Sequence, residues 1–314
     1  MMKAVESIAR RQFLGGIAGI GLSSAIRPFE FLGKPTLRVA HMTDFHVQPE
    51  LNATKGMDLA LQHAMKQKPD IVLCGGDLIM DAFAQDEKRT ALQWKIFQDL
   101  IRSNVKVPVH YTLGNHDVWG WNKKDSHTSG SEAQWGKKWF LDNFGYKETY
   151  HSFDKGGWHF VVLDNIWSTP DGYNGILGPE QREWLDADLG KTTLPTLVIT
   201  HIPLLSVTTL VGAYNPKEGE WRIGGDDMTK DLGDVMAIFA KHPHVKIALC
   251  GHEHMVDRID FKGVSYLCGG AVCGNWWKGV YNGFAPGYRL FDLHSDGTFT
   301  EKYLEWGWNQ SFLS

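Results

Sequence analysis

The sequence predicts an α/β domain, and three observations predict it. Apolar runs of strand length recur along the chain, segments with helical periodicity separate them, and polar residues stand where the runs end. The runs are 37–42, 71–74, 107–113, 160–163, 197–200 and 245–250, flanked by glycine, proline or polar residues as buried strands are. Between the first two, Leu59, Leu61, Ala64 and Met65 mark a helix; Leu92, Ile96, Phe97, Leu100 and Ile101 mark a second. Pro179 is placed to open a third helix, through Trp184, Leu185 and Leu189. Val235, Ile238 and Phe239 mark a fourth, ending near His242-Pro243. From about Val256 the pattern changes to short strands with glycine turns at Gly263 and Asp296-Gly297, a β-rich C-terminal extension of one domain over 36–305. Two long polar, glycine-containing stretches, 119–136 and 205–226, break the alternation and read as functional loops.

The 314 residues include 43% apolar and 22% charged, and the formal net charge is −4. This is the profile of a globular domain without a strong nucleic-acid signal. The first 25 residues read separately. Arg10-Arg11-Gln12-Phe13-Leu14 precedes a mildly apolar stretch and then Ser23-Ser24-Ala25, the pattern of a twin-arginine export signal. Its apolar run is too short to span a bilayer, so no transmembrane helix is expected, and the protein is expected in the periplasm or cell envelope. Of four cysteines, Cys74 and Cys250 end apolar runs and read as buried; Cys268 and Cys273 are near enough in sequence to allow a disulfide without establishing one.

The chemistry lies at the strand ends. The run 37–42 leads into Thr43-Asp44-Phe45-His46, 71–74 into Gly75-Gly76-Asp77, and 107–113 into Gly114-Asn115-His116-Asp117. The last two lead into His201-Ile202-Pro203 and Gly251-His252-Glu253-His254. In an open α/β sheet, ligands gather at the carboxyl ends of strands, so five strands deliver Asp, His and Asn groups to one edge. Asp44 and His46, like His252 and His254, are two apart and can face the same way. Asp77 has two oxygens with which to bridge two ions. Seven oxygen and nitrogen donors (Asp44, His46, Asp77, Asn115, His201, His252 and His254) suit two borderline divalent ions such as Mn, Fe, Zn, Co or Ni. Each fragment alone means little, because a lone histidine is more often a core or surface residue. Their joint order is what is specific. His41, His110, His151 and His159 lack such company and are expected to be structural.

Asp-x-His, Gly-Asp, Gly-Asn-His-Asp, His-x-Pro and Gly-His-x-His, in this order from Asp44 to His254, resemble the calcineurin-like metallophosphoesterase superfamily. The resemblance implies a four-layer αββα sandwich of two mixed sheets with a dinuclear centre at the strand ends. It implies Asp44, His46 and His254 on one metal, Asn115, His201 and His252 on the other, and Asp77 between them. The purple acid phosphatases of that superfamily place a tyrosine three residues after the bridging aspartate; here that residue is Met80, which argues against a ferric site.

The expected reaction is hydrolysis of a phosphodiester or small phosphomonoester by a metal-bridging hydroxide. His116, next to a proposed ligand and of a residue type that gives up a proton near neutral pH, is the expected general acid, with Asp117 to orient it or else to cap a local turn. The loops 119–136 and 205–226 and the Gly274-Asn275-Trp276-Trp277 segment are expected to rim the site. If Trp276 and Trp277 lay on a strand, only one could face the cleft. The rival readings are a different metallohydrolase, whose His-x-His-x-Asp-His cluster is absent, and a catalytically weak phosphate-binding module, which should have lost ligands. Substrate, metal pair and oligomeric state are not legible in the sequence.

Overall fold

The computed structural model describes residues 35–170 and 172–309; the twin-arginine stretch lies outside them. In chain order the elements begin with β1 (Leu37–Met42), α1 (Ala53–Lys66), β2 (Ile71–Cys74), α2 (Glu87–Asn104) and β3 (Val109–Tyr111). There follow α3 (Lys123–Ser126), α4 (Lys138–Phe144), β4 (His151–Lys155), β5 (Trp158–Val162), β6 (Ile166–Thr169), β7 (Gly172–Gly175) and α5 (Pro179–Leu189). The rest comprises β8 (Thr196–Ile199), β9 (Tyr214–Asn215), β10 (Glu220–Trp221), α6 (Leu232–Lys241), β11 (Val245–Cys250), β12 (Val256–Phe261), β13 (Val264–Gly269), β14 (Gly287–Leu293) and β15 (Phe299–Glu305).

Two mixed sheets result, ordered β15-β14-β1-β2-β3 and β12-β13-β11-β8-β5-β4. The period of two along each strand gives each sheet two apolar faces. Val39, Ile71, Leu73, Phe291 and Leu293 of the first sheet pack against Phe160, Leu197, Ile199, Ile247 and Leu267 of the second. Their neighbours point the other way. Ala40, Met42, Val72 and Leu290 cluster with Met57 and Leu61 of α1 and with Trp94, Phe97 and Ile101 of α2. Val161, Val198, Ala248 and Tyr266 cluster with Leu185 and Leu189 of α5 and with Val235, Ile238 and Phe239 of α6. The stacking order is helix, sheet, sheet, helix. The strands after Val256 are built into both sheets: β13 pairs parallel with β11, and β14 pairs antiparallel with β1.

The differences from the sequence reading have local causes. The third strand is shorter than 107–113, because Pro108 has no N–H to offer a ladder and the strand starts after it. Leu59 and Leu92 face solvent. On α1 the small Gly56 and Ala60 turn inward instead, and the Trp277 ring lies where a side chain on Gly56 would be. The β4 strand and the β6–β7 hairpin were not expected, because polar residues and glycines dominate their sequences. Among the described residues no helix is long and apolar enough to cross a membrane.

Candidate metal centre

All seven expected ligand residues converge beyond the carboxyl ends of β1, β2, β3, β8 and β11. Sharp turns there bring the side chains back over the sheet edges. Asp44, His46, Asp77, His252 and His254 adopt φ between 41° and 72°, a left-handed backbone that costs an ordinary residue about 1–3 kcal/mol. Strain of this kind, gathered in five residues of one cleft, is a mark of function. Two glycines let the backbones close. A Cβ on Gly114 would lie 2.1 Å from the Asp77 nitrogen, and one on Gly251 would lie 2.3 Å from Asp44 Oδ2.

The donor atoms fall into two sets. In one, His46 Nε2 lies 3.0 Å from His254 Nε2, and His254 Nε2 lies 3.4 Å from Asp44 Oδ1. In the other, Asn115 Oδ1 lies 3.1 Å from both His201 Nε2 and His252 Nδ1. Asp77 Oδ2 stands between the sets, 3.4 Å from His46 Nε2 and 3.2 Å from His201 Nε2. Two tautomers are fixed from behind: His254 Nδ1 donates to the Gly274 carbonyl at 2.6 Å, and His201 Nδ1 donates to the Gly75 carbonyl at 2.9 Å. In the neutral rings, Nε2 of each therefore turns a bare lone pair toward other acceptors. Lone pairs facing one another in a dry site repel unless a cation lies among them. Ligand atoms about 2.1 Å from a common ion and at right angles to it are about 3.0 Å apart, close to the spacings seen. The residues fit divalent metals.

The electrostatics agree. Burial opposes a charge on His201, yet Asp77 outweighs it and lifts its pKa to about 9. Burial likewise opposes charge on His254, but Cys273 and Asp44 hold its pKa well above the ordinary value. Burial and the His201 cation push His252 down to about 4, and burial takes His46 well below its usual range. Each set thus calls for a positive charge beside its carboxylate, which a proton supplies in the absence of metal.

His116 lies at the mouth, half-buried, its ring edge-on to His46 at 4.7 Å. Its backbone N–H donates to Asp77 Oδ1 at 2.9 Å. Asp117 does not orient that ring. Its carboxylate turns inward, accepting from the backbone N–H groups of Leu78 at 2.8 Å and Gly114 at 2.9 Å, so it pins the turns carrying Asp77 and Asn115. A residue adjacent in sequence points elsewhere on a turn, and the expected catalytic role of Asp117 is corrected to a structural one. The carboxylate near His116 belongs to Asp81, whose Oδ1 is 3.8 Å from His116 Nδ1 and is held by the Phe83 N–H at 2.8 Å.

The cysteines are all free and buried, which corrects the Cys268–Cys273 option; Cys273 Sγ instead lies 3.9 Å from His254 Nδ1. Trp276 and Trp277 sit on a left-handed turn rather than a strand. Trp276 lies 4.4 Å from the His254 ring, at the cleft, whereas Trp277 is buried and donates to the His46 carbonyl at 2.9 Å. The cleft, of 230 Å³, is also lined by Tyr173, Asp227, Glu253 and Tyr281. Glu253 stood between two expected ligands and could have been noticed. Burial and Asp227 raise its carboxyl to about 7. Tyr173 and Asp227 carried no local signal. His41, expected to be structural, is fully buried near the carboxyl end of β1, where burial and Arg289 depress it to about 3.

Residues 37–256 match the family of calcineurin-like phosphoesterases. The chain is 25% identical over 283 residues to a 3′,5′-cyclic-nucleotide phosphodiesterase of Nostoc sp., covering 86% of this chain and 92% of that one. It is 26% identical over 286 residues to the 3′,5′-cyclic adenosine monophosphate phosphodiesterase CpdA of Escherichia coli, covering 85% and 89%. A dimetal phosphatase from Danio rerio shares the fold, with a TM-score of 0.59 and 14% identity over 87% of this chain and 97% of that one. With the matched segment spanning every strand-end motif from Asp44 to His254, the chain belongs to the calcineurin-like phosphoesterase family and is a metallophosphoesterase.

Proposed function

We propose that the chain is a two-metal phosphodiesterase acting on a small nucleotide-like ester, with one ion held by Asp44, His46 and His254, the other by Asn115, His201 and His252, and Asp77 shared between them. The observation that carries this reading is the position of Asp77 Oδ2, within 3.4 Å of an imidazole Nε2 on either side. Divalent ions in such a site acidify water to a nucleophile at neutral pH and neutralise phosphate oxygens. The chain's own residues do the rest. Asp77 and Asp44 set the charge of the two sets. The carbonyls of Gly75 and Gly274 hold His201 and His254 in the tautomer that offers Nε2. His116, with Nδ1 toward Asp81, has Nε2 free to protonate the departing oxygen. Trp276, Tyr173 and Tyr281 offer ring faces to the organic part of the ester.

The names of the Nostoc and E. coli relatives support a phosphodiester, cyclic nucleotides among them, over a monoester. Metal analysis of the purified protein, followed by turnover of cyclic nucleotides, linear diesters and monoesters with and without a chelator, tests the reading. Chelator-resistant hydrolysis, or a monoester preference, overturns it. The Arg10-Arg11 pattern supports export as part of the same proposal. Replacing both arginines with lysine is expected to hold the protein in the cytosolic fraction, and unchanged fractionation would remove that part alone.

A further inference from the structure

The metal cleft, at 230 Å³, is smaller than the roughly 300–1,000 Å³ typical of sites that enclose an organic ligand. It is too small to enclose the whole of a larger nucleotide-like ester, so part of such a substrate lies beyond it. Next to it is a cavity of 620 Å³ built by the 119–136 loop and the β6–β7 hairpin, and lined by Phe83, Trp121, Lys123, Lys124, Trp135 and Thr169 among others. Two ring contacts link their walls: His252 to Tyr173 at 6.3 Å and Tyr173 to Phe83 at 6.1 Å. The backbone joins them too, since Ala82 N–H donates to the His116 carbonyl at 2.7 Å and Asn122 N–H to the Phe83 carbonyl at 3.1 Å.

The lining has a definite chemistry. Lys123 Nζ stands 5.3 Å from the centre of the Trp135 ring, and Lys124 is exposed beside it. Neither lysine has a carboxylate partner among the described residues, and no acidic residue is among the described residues lining the cavity. The cavity on the other side, behind His116, differs. Its cation, Arg89, is already engaged by Glu50 at 2.8 and 2.5 Å. Aromatic faces with two ammonium groups that no described carboxylate engages suit a planar ring that carries negative charge.

We infer that the Phe83–Trp121–Lys123–Lys124–Trp135 cavity is a distal substrate subsite that takes a planar ring together with a second anionic group, while the scissile phosphate lies in the metal cleft. The inference rests on the hydrolytic reading above and narrows it. Among the esters that reading admits, those with a second negative charge beyond the scissile phosphate are held more tightly.

The test is equilibrium binding of two probes to the full, metal-loaded chain. Inorganic phosphate needs only the cleft; a nucleoside 3′,5′-bisphosphate can reach both spaces. Wild-type protein should hold the bisphosphate more tightly than phosphate, and Lys123→Glu with Lys124→Glu should lower that affinity ratio about tenfold or more. Lys124→Glu alone, at an exposed side chain, should lower it by a smaller factor and keeps the comparison readable if the double variant misfolds. Equal affinities in the wild type, or a ratio untouched by the substitutions, overturns the subsite. Hydrolysis of bis(4-nitrophenyl) phosphate by wild-type protein is measured separately. Its absence, with the bisphosphate preference intact, would sink the hydrolytic reading and leave the subsite standing.

Discussion

In the cleft, five ligand residues sit in left-handed backbone, and His201 and His254 are each held from behind by a carbonyl. The 119–136 rim instead presents Lys123 and Lys124 as exposed side chains on a single helical turn capped by Asn122. One region holds its donor atoms with tight turns and hydrogen bonds from behind, at a cost in strain. The other offers charge and ring faces with freedom to adjust. The difference teaches a division of labour: substitutions in the cleft should change metal content and turnover, whereas those in the rim should change which ester is held.

Asp77→Asn is the severest way to break that division. It removes the carboxylate whose Oδ2 lies within 3.4 Å of a nitrogen in each set, and turnover should fall by about a thousandfold or more with loss of bound metal. Elemental analysis beside steady-state rates checks it; a variant that kept both ions and its rate would show that Asp77 is not shared. His116→Gln comes next. The ring contacts His46 but lies outside the two donor sets, so metal content should stay while turnover drops about 10²–10⁴-fold, more for poor leaving groups. An equal loss on an activated aryl ester and an alkyl ester would remove the acid role.

These two residues were legible because each stands within a few positions of an apolar run, and a strand's direction fixes where its end lies. The strands 37–42, 71–74 and 245–250 were legible for the same reason: continuous apolar residues leave few other structures open. The rim was named as a rim, but its cavity was not legible. Phe83, Lys124 and Thr169 meet only after three separate segments fold together, and no periodicity records that. Asp117 failed for another reason. Sequence adjacency to His116 says nothing of direction on a tight turn, where hydrogen bonds to Leu78 and Gly114 decide it.

The Asp81 and Asp117 pair sharpens the contrast at smaller scale. Asp81→Asn weakens the field on His116 Nδ1 across 3.8 Å and should lower turnover about tenfold, with metal retained. Asp117→Asn puts an amide against two backbone N–H groups and should instead lower the melting temperature, by the equivalent of about 1–3 kcal/mol. A tenfold loss of turnover from Asp117→Asn at an unchanged melting temperature, with none from Asp81→Asn, would reverse the assignment.

The smallest effect lies beneath both regions, on β3, which leads to Asn115. His110 stacks on Phe153 with ring centres 3.5 Å apart, and burial, with His151 and Lys155 adding to it, depresses its pKa from 6.5 to about 4. Between those values the unfolded chain takes up a proton that the folded chain refuses. Unfolding is therefore favoured as pH falls: the stability contributed by neutral His110 is whole above pH 6.5 and drains away toward pH 4. His110→Phe keeps the stacked ring and removes the titration, so its melting temperature should fall less than that of wild type between pH 7 and pH 5. Since His110 touches no donor atom of either set, a change in metal content from the same substitution would show that the cleft depends on this strand more closely than its contacts imply.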